Sequence, residues 1–215
     1  MSLAPKPTKK EIVTAFRTQE ILAAARRVME QRGLEAVTME EIATAAGVAK
    51  GTIYLYFQGK EDLIQALVSQ TGENLLKDLE AILGIPEAPA EKLGRAVTML
   101  LGYLERERAL FPVYARDLQR GDRPLRKGER GRPQVRELEE KFVALLTRLF
   151  SEGIQAGQFV QANPRLLTFL LRGLLRAVGY YQMAEGAKDA VKEALPVFLT
   201  LLSSGLMRQA HPTQR

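Results

Sequence analysis

The sequence predicts an all-α chain, with an N-terminal three-helix unit ahead of a larger helical domain and about nine helices in total. Three observations lead there. Apolar residues recur at helical spacing through most of the 215 residues. No stretch alternates convincingly with a period of two, and neither Asn-Gly nor Asp-Gly marks a hairpin turn. Glycine and proline clusters punctuate the helical runs where chain reversals are needed.

Residues 1–10 (MSLAPKPTKK) hold prolines, lysines and little apolar matter, and read as a mobile basic arm whose first three residues have a vector-like form. From Glu11 to Arg32 the residues Ile21, Leu22, Ala25, Val28 and Met29 form one helical face, and Gly33 supplies the stop. Thr38 and Glu41 have capping-box spacing, so a short helix should run to about Ala46. After Gly47 a second short helix is expected from Ala49 to Phe57. Longer helices follow over Glu61–Leu83, then roughly 90–107, 109–120, 134–157, 163–184 and 187–208. The segment 120–136 is dense in Arg and Gly/Pro and reads as a solvated loop. The expected organisation is an arm over 1–10, a helix-turn-helix domain over 11–60, an effector-binding and dimerisation domain over 61–208, and a tail over 209–215.

Two short helices joined at a glycine form a helix-turn-helix if the crossing is tight enough. Ala43 is small where the helices cross, Gly47 takes the turn cheaply, and Ile53 fills the gap between them. The stretch LYFQG within 52–60 coincides with an engineered protease linker, yet it lies inside patterned sequence and so belongs to the protein. On a regular helix Ile53 and Phe57 face the core. Gly51, Thr52, Leu55 and Tyr56 fall opposite, flanked by Lys50 and Tyr54. Such a face suits a major groove. Gly51 permits close approach, the tyrosines and Lys50 reach phosphates, Thr52 meets a base edge and Leu55 a thymine methyl. Lys60, opening the next helix, is placed to hold a phosphate.

The stretch RTQEILAAARRVMEQRGLEAVTMEEIATAAGVAKGTIYLYFQGKEDLIQALV (residues 17–68) resembles the tetracycline-repressor (TetR) family, most specifically over AAGVAKGTIYLYFQGKEDL. The resemblance implies that Thr38 meets a phosphate at the start of the first short helix. It implies that Lys50, Gly51, Thr52, Tyr54 and Tyr56 meet DNA from the second, and that Lys60 clamps a phosphate. It also implies a homodimeric helical repressor whose C-terminal region dimerises and binds a small molecule. Two positions depart from the pattern: Ala49 stands where relatives carry Ser or Thr, removing a side-chain cap, and Leu55 replaces a commonly polar or aromatic residue.

Beyond residue 68 the reading is physical. The stretch 163–184 is apolar nearly all round, which suits core on one face and a partner subunit on the other. Gly173 and Ala177, four apart, permit close helix approach, so homodimerisation through the last two long helices is expected. Met99, Tyr103, Phe111, Tyr114, Phe169, Tyr180 and Tyr181 supply large side chains. Most belong to an ordinary core, and together with Arg172 they are the candidate pocket for a largely apolar effector. Arg172 and Arg176 otherwise face solvent or pair with an acid across the dimer. Arg130-Gly131-Arg132-Pro133 matches the core of a minor-groove hook, a common accident of basic loops. Lys6, Lys9 and Lys10 are better placed to follow a duplex.

The net charge of +6 admits nucleic acid as a partner without choosing it. With no Cys, and His211 alone in a polar tail, neither thiol catalysis nor a His/Cys metal cluster is expected, and no cofactor is implied. Enzyme signatures such as GxSxG and HExxH are missing, so an enzyme is not expected. The acid pairs Glu40-Glu41 and Glu139-Glu140 are explained by capping and a solvated helix face. Neither a leader nor a membrane span is expected, and the cytoplasm is the expected compartment. The expected function is a sequence-specific regulator, released from a pseudo-palindromic double-stranded operator by a small effector. The alternative is a sequence-neutral architectural DNA binder.

Overall fold

The computed structural model describes residues 8–120, 133–186 and 189–205. Among these lie nine α-helices: α1 (Lys9–Arg32), α2 (Met39–Ala45), α3 (Lys50–Ile53), α4 (Lys60–Gly84), α5 (Pro89–Arg106), α6 (Phe111–Arg120), α7 (Pro133–Gln155), α8 (Pro164–Glu185) and α9 (Ala190–Gly205). A 3-10 turn, Arg108–Leu110, precedes α6. The all-α expectation therefore stands. His211, Lys6 and most of the 120–136 loop, including Arg130 to Arg132, lie outside the described residues.

The chain divides into two compact units, Met1–Val68 and Ser69–Arg215, so the division falls within α4 and not at its start. In the first unit α1 packs on α2 and α2 on α3. Thr8 caps α1 through a reciprocal bond with Glu11, so Lys9 and Lys10 form its first turn and are not arm. Gly33 ends α1 with a backbone bond to Met29 and a φ of 78°, a conformation costly for other residues. Ile21, Leu22, Val28, Met29, Ile42 and Ile53 are buried in this unit.

In the second unit α5 packs against α7, α8 and α9, with α7 paired along α8. Leu93, Val97, Leu101, Leu146, Phe150 and Leu171 belong to its core. Asn163 caps α8 by accepting from Arg165 and Leu166, and Pro164 occupies the first turn, where a missing N–H costs nothing. One face of α8 is buried through Leu167, Thr168, Leu171 and Leu175, whereas Leu166, Phe169, Leu170 and Leu174 stand exposed on other sides.

Candidate nucleic-acid interface

The first unit builds a small surface from three backbone features. Thr38 accepts from the Glu41 N–H while Glu41 accepts from the Thr38 N–H, fixing where α2 begins. Those hydrogen bonds hold the Glu41 carboxyl below its ordinary range. Ala43, 1% exposed, lets α3 cross closely, and Gly47 turns the chain at φ 66°. Ala49 then starts α3 with no side-chain cap, as its methyl group dictates.

α3 is shorter than expected. It ends at Ile53, and the chain tightens there: Leu55 and Tyr56 donate to the carbonyls of Thr52 and Ile53, three residues back, before Phe57 returns to Ile53. A three-residue turn rotates side chains further per residue than an α-helix. Tyr54 therefore swings into solvent at 48% exposure beside Leu55 at 82%, whereas Thr52 and Tyr56 are half-buried. Ile53 and Phe57 are buried at 0% and 5%, anchoring the segment from below. Gly51 is exposed, and a Cβ there would meet nothing.

The cations around this face are already tethered. Lys50, the first residue of α3, donates its ammonium to Glu40 of α2 at 2.8 Å. That hydrogen bond, aided by the carboxylate charge, raises the Lys50 pKa. Lys60 opens α4 and donates to the Glu35 carbonyl at 2.8 Å, which draws its side chain back over the α1–α2 connection. Arg32 pairs with Glu41 at 2.9 Å. The acid pair Glu40-Glu41 thus separates into two functions: Glu41 caps, and Glu40 holds Lys50. Local sequence carries no signal for a contact ten residues apart between two helices.

In the second unit the expected pocket residues are spread over α5, α6 and α8. Phe111 is buried and meets Tyr180 edge-on, ring centres 5.5 Å apart. Tyr114 is half-buried. Phe169 lies against the guanidinium groups of Arg165 and Arg172. Arg172 pairs with Glu139 of α7 within the same chain, so Glu139 is more than a solvated face. Tyr103 donates to Asp78 at 2.7 Å, with Arg106 over its ring. Burial and that carboxylate push its phenol up to about 12. Tyr181 donates to Glu193 at 3.2 Å. A groove of about 750 Å³ lies among the end of α4, α5 and α9, lined by Ile82, Ile85, Met99 and Leu199 with Glu87 and Arg95 beside them. Of the eight expected residues, Met99 alone lines it. Among the described residues no His, Cys, Asp and Glu group is arranged to hold a metal, and no helix is long and apolar enough to cross a membrane.

Comparison with known proteins agrees with this geometry. The family model for bacterial regulatory proteins of the tetR family matches residues 21–67, and that for the tetracyclin repressor-like C-terminal domain matches residues 86–190. The fatty acid metabolism regulator protein of Bacillus subtilis is 28% identical over 189 residues, covering 87% of this chain and 94% of its own length. The crystal structure of FadR from Bacillus subtilis in complex with stearoyl-CoA has a TM-score of 0.67 at 26% identity, covering 87% of this chain and 98% of that one. A TetR/AcrR-family regulator from Thermobifida fusca shares the fold, with a TM-score of 0.70 at 22% identity over 88% of this chain and 97% of that one. With both halves matched and the helix-turn-helix geometry in place, the chain is a TetR-family transcriptional regulator.

Proposed function

We propose that this protein is a homodimeric repressor that reads a pseudo-palindromic operator with the α3 segment and is released by a small, largely apolar effector. The observation that carries the reading is the division of residues 50–57. Ile53 and Phe57 are buried, while Gly51, Tyr54 and Leu55 stand exposed beside Lys50. In this reading Lys50, Tyr54, Tyr56, Thr38 and Lys60 position the protein on phosphates, whereas Thr52 and Leu55 meet base edges. Residues 1–68 carry nine Lys and Arg against eight Asp and Glu, so bulk attraction to DNA is slight. That balance disfavours a sequence-neutral binder, which depends on phosphate neutralisation.

The exposed face of α8 supports dimerisation. Leu166, Leu170 and Leu174 lie uncovered in one chain, and Gly173 between them has open space where a Cβ would sit. Val197 and Leu201 of α9, 59% and 54% exposed, extend the apolar surface. An apolar surface of this kind is a subunit interface more often than a solvated face. For the effector, the relatives named for fatty acid metabolism make a long-chain acyl thioester the first class to test. We assign Phe111, Tyr114, Phe169, Arg172 and Tyr180, on α6 and α8, to its surroundings. Met99, Tyr103 and Tyr181 are the outlying members of the same set. α4, which carries Lys60 at its start and continues into the second unit, is the lever between effector and DNA. Linkage then requires operator DNA to weaken effector binding by the factor by which effector weakens operator binding.

The test uses duplexes enriched by the wild-type protein from a random pool. Tyr54→Ala and Lys60→Ala should each weaken binding of the enriched duplex by about 5- to 100-fold, on the order of 1–3 kcal/mol, while dimer and helicity persist. Lys60→Ala should also make the salt dependence shallower by about one counter-ion per subunit. Unchanged affinity in both variants would refute the assignment.

A further inference from the structure

Lys50 sits at the start of α3, where a cation reaches a phosphate beside the groove. A free lysine there would serve any duplex, because its long stem lets the ammonium follow whichever phosphate is nearest. In this protein the ammonium is held by Glu40, the second residue of α2, across 2.8 Å. Both side chains are well exposed, so the pair adds little to folding stability. Glu40 is not needed to start α2 either, since Glu41 makes the reciprocal bonds with Thr38. An acid placed on the DNA-facing side of a unit with almost no net positive charge weakens attraction to every duplex. Its retention of Lys50 calls for a role other than stability or affinity.

We propose that Glu40 is a positioning residue for selectivity: its carboxylate restrains the Lys50 ammonium so that it reaches a phosphate only in the register that also seats Tyr54 and Leu55 on the bases. On a random duplex the phosphate offered to Lys50 is not in that place, and the carboxylate out-competes it. On the operator the phosphate arrives where the tether already holds the ammonium. Glu40 thus suppresses non-specific binding more than specific binding. The inference rests on the DNA-reading assignment of α3 made above.

A double-mutant cycle tests it, with Glu40→Gln measured in the wild-type and Lys50→Ala backgrounds. The probes are the enriched duplex and a random duplex of equal length, at several salt concentrations. Glu40→Gln should bind the random duplex about two- to fivefold tighter, with the enriched duplex gaining less, so that the ratio of affinities falls. Its salt slope on the random duplex should steepen by about 0.9 per subunit, the signature of one more released counter-ion. In the Lys50→Ala background the same substitution should act on both duplexes alike and leave the ratio of affinities unchanged. An equal gain on both duplexes would overturn the proposal. So would a fall in that ratio that survives Lys50→Ala, because Glu40 would then set selectivity without the Lys50 ammonium. Failure of the wild-type protein to enrich any sequence would instead remove the DNA-reading assignment beneath it.

Discussion

Tyr103 donates to Asp78 at 2.7 Å, and its removal from water is the larger reason its phenol stays protonated up to about 12. An unfolded tyrosine titrates near 10. Between about 10 and about 12 the folded chain therefore keeps a proton that the unfolded chain has lost, so stability is intact below pH 10 and falls as pH rises through the folded pKa. Thermal melting across this alkaline window should decline more steeply in wild type than in Tyr103→Phe. Parallel declines would contradict the Tyr103–Asp78 hydrogen bond. At this scale the sequence identified which residues bear chemistry better than it identified their partners. Gly51, Tyr54 and Leu55 were legible as a surface because their placement follows from the inward-facing Ile53, one or two residues away. The partners of Lys50, Lys60 and Arg172 are Glu40, the Glu35 carbonyl and Glu139, which lie 10, 25 and 33 residues distant. Only tertiary folding brings these together.

Helices were legible wherever a long apolar face met a clear stop. α4 was expected over Glu61–Leu83 and runs Lys60–Gly84; α5 and α7 follow their expected spans to within a residue or two. The local hydrogen bonds after α3 and the 3-10 turn before α6 were not legible, because switching from i−4 to i−3 bonding changes no apolar period over so few residues. Close packing between elements was also hidden. A Cβ built on Gly153 of α7 would lie 2.1 Å from the ring of Phe159, itself fully buried against Phe150. Gly153→Ala should destabilise the chain by about 1–3 kcal/mol through overpacking. The corresponding fall in Tm is roughly 2–10 °C. Gly94→Ala, where added volume meets nothing within 4 Å, should leave Tm unchanged or raise it. Equal effects at the two glycines would show that α7 does not pack against Phe159 as described.

At the scale of the whole molecule, charge and apolar surface have separate distributions. The net charge of +6 leaves the first unit nearly neutral, so composition pointed toward nucleic acid for a reason the DNA-reading unit does not share. What marks that unit is the shape of residues 38–60. The second unit supplies the apolar α8 face, legible in the sequence as a helix too greasy for one core. Which of its large side chains would meet an effector was not legible, since large side chains at helical spacing serve core packing as readily as ligand contact. The most direct measurement of the account compares wild-type affinity, at one fixed salt concentration, for three duplexes: the enriched sequence, the same sequence with one half-site scrambled, and a random duplex. A dimer that reads bases with two copies of α3 should prefer the enriched duplex over the random one by a factor of at least about 10³. Scrambling one half should forfeit most of that preference. Equal affinity for all three would contradict sequence reading altogether, and an undiminished affinity for the half-scrambled duplex would contradict reading by a dimer.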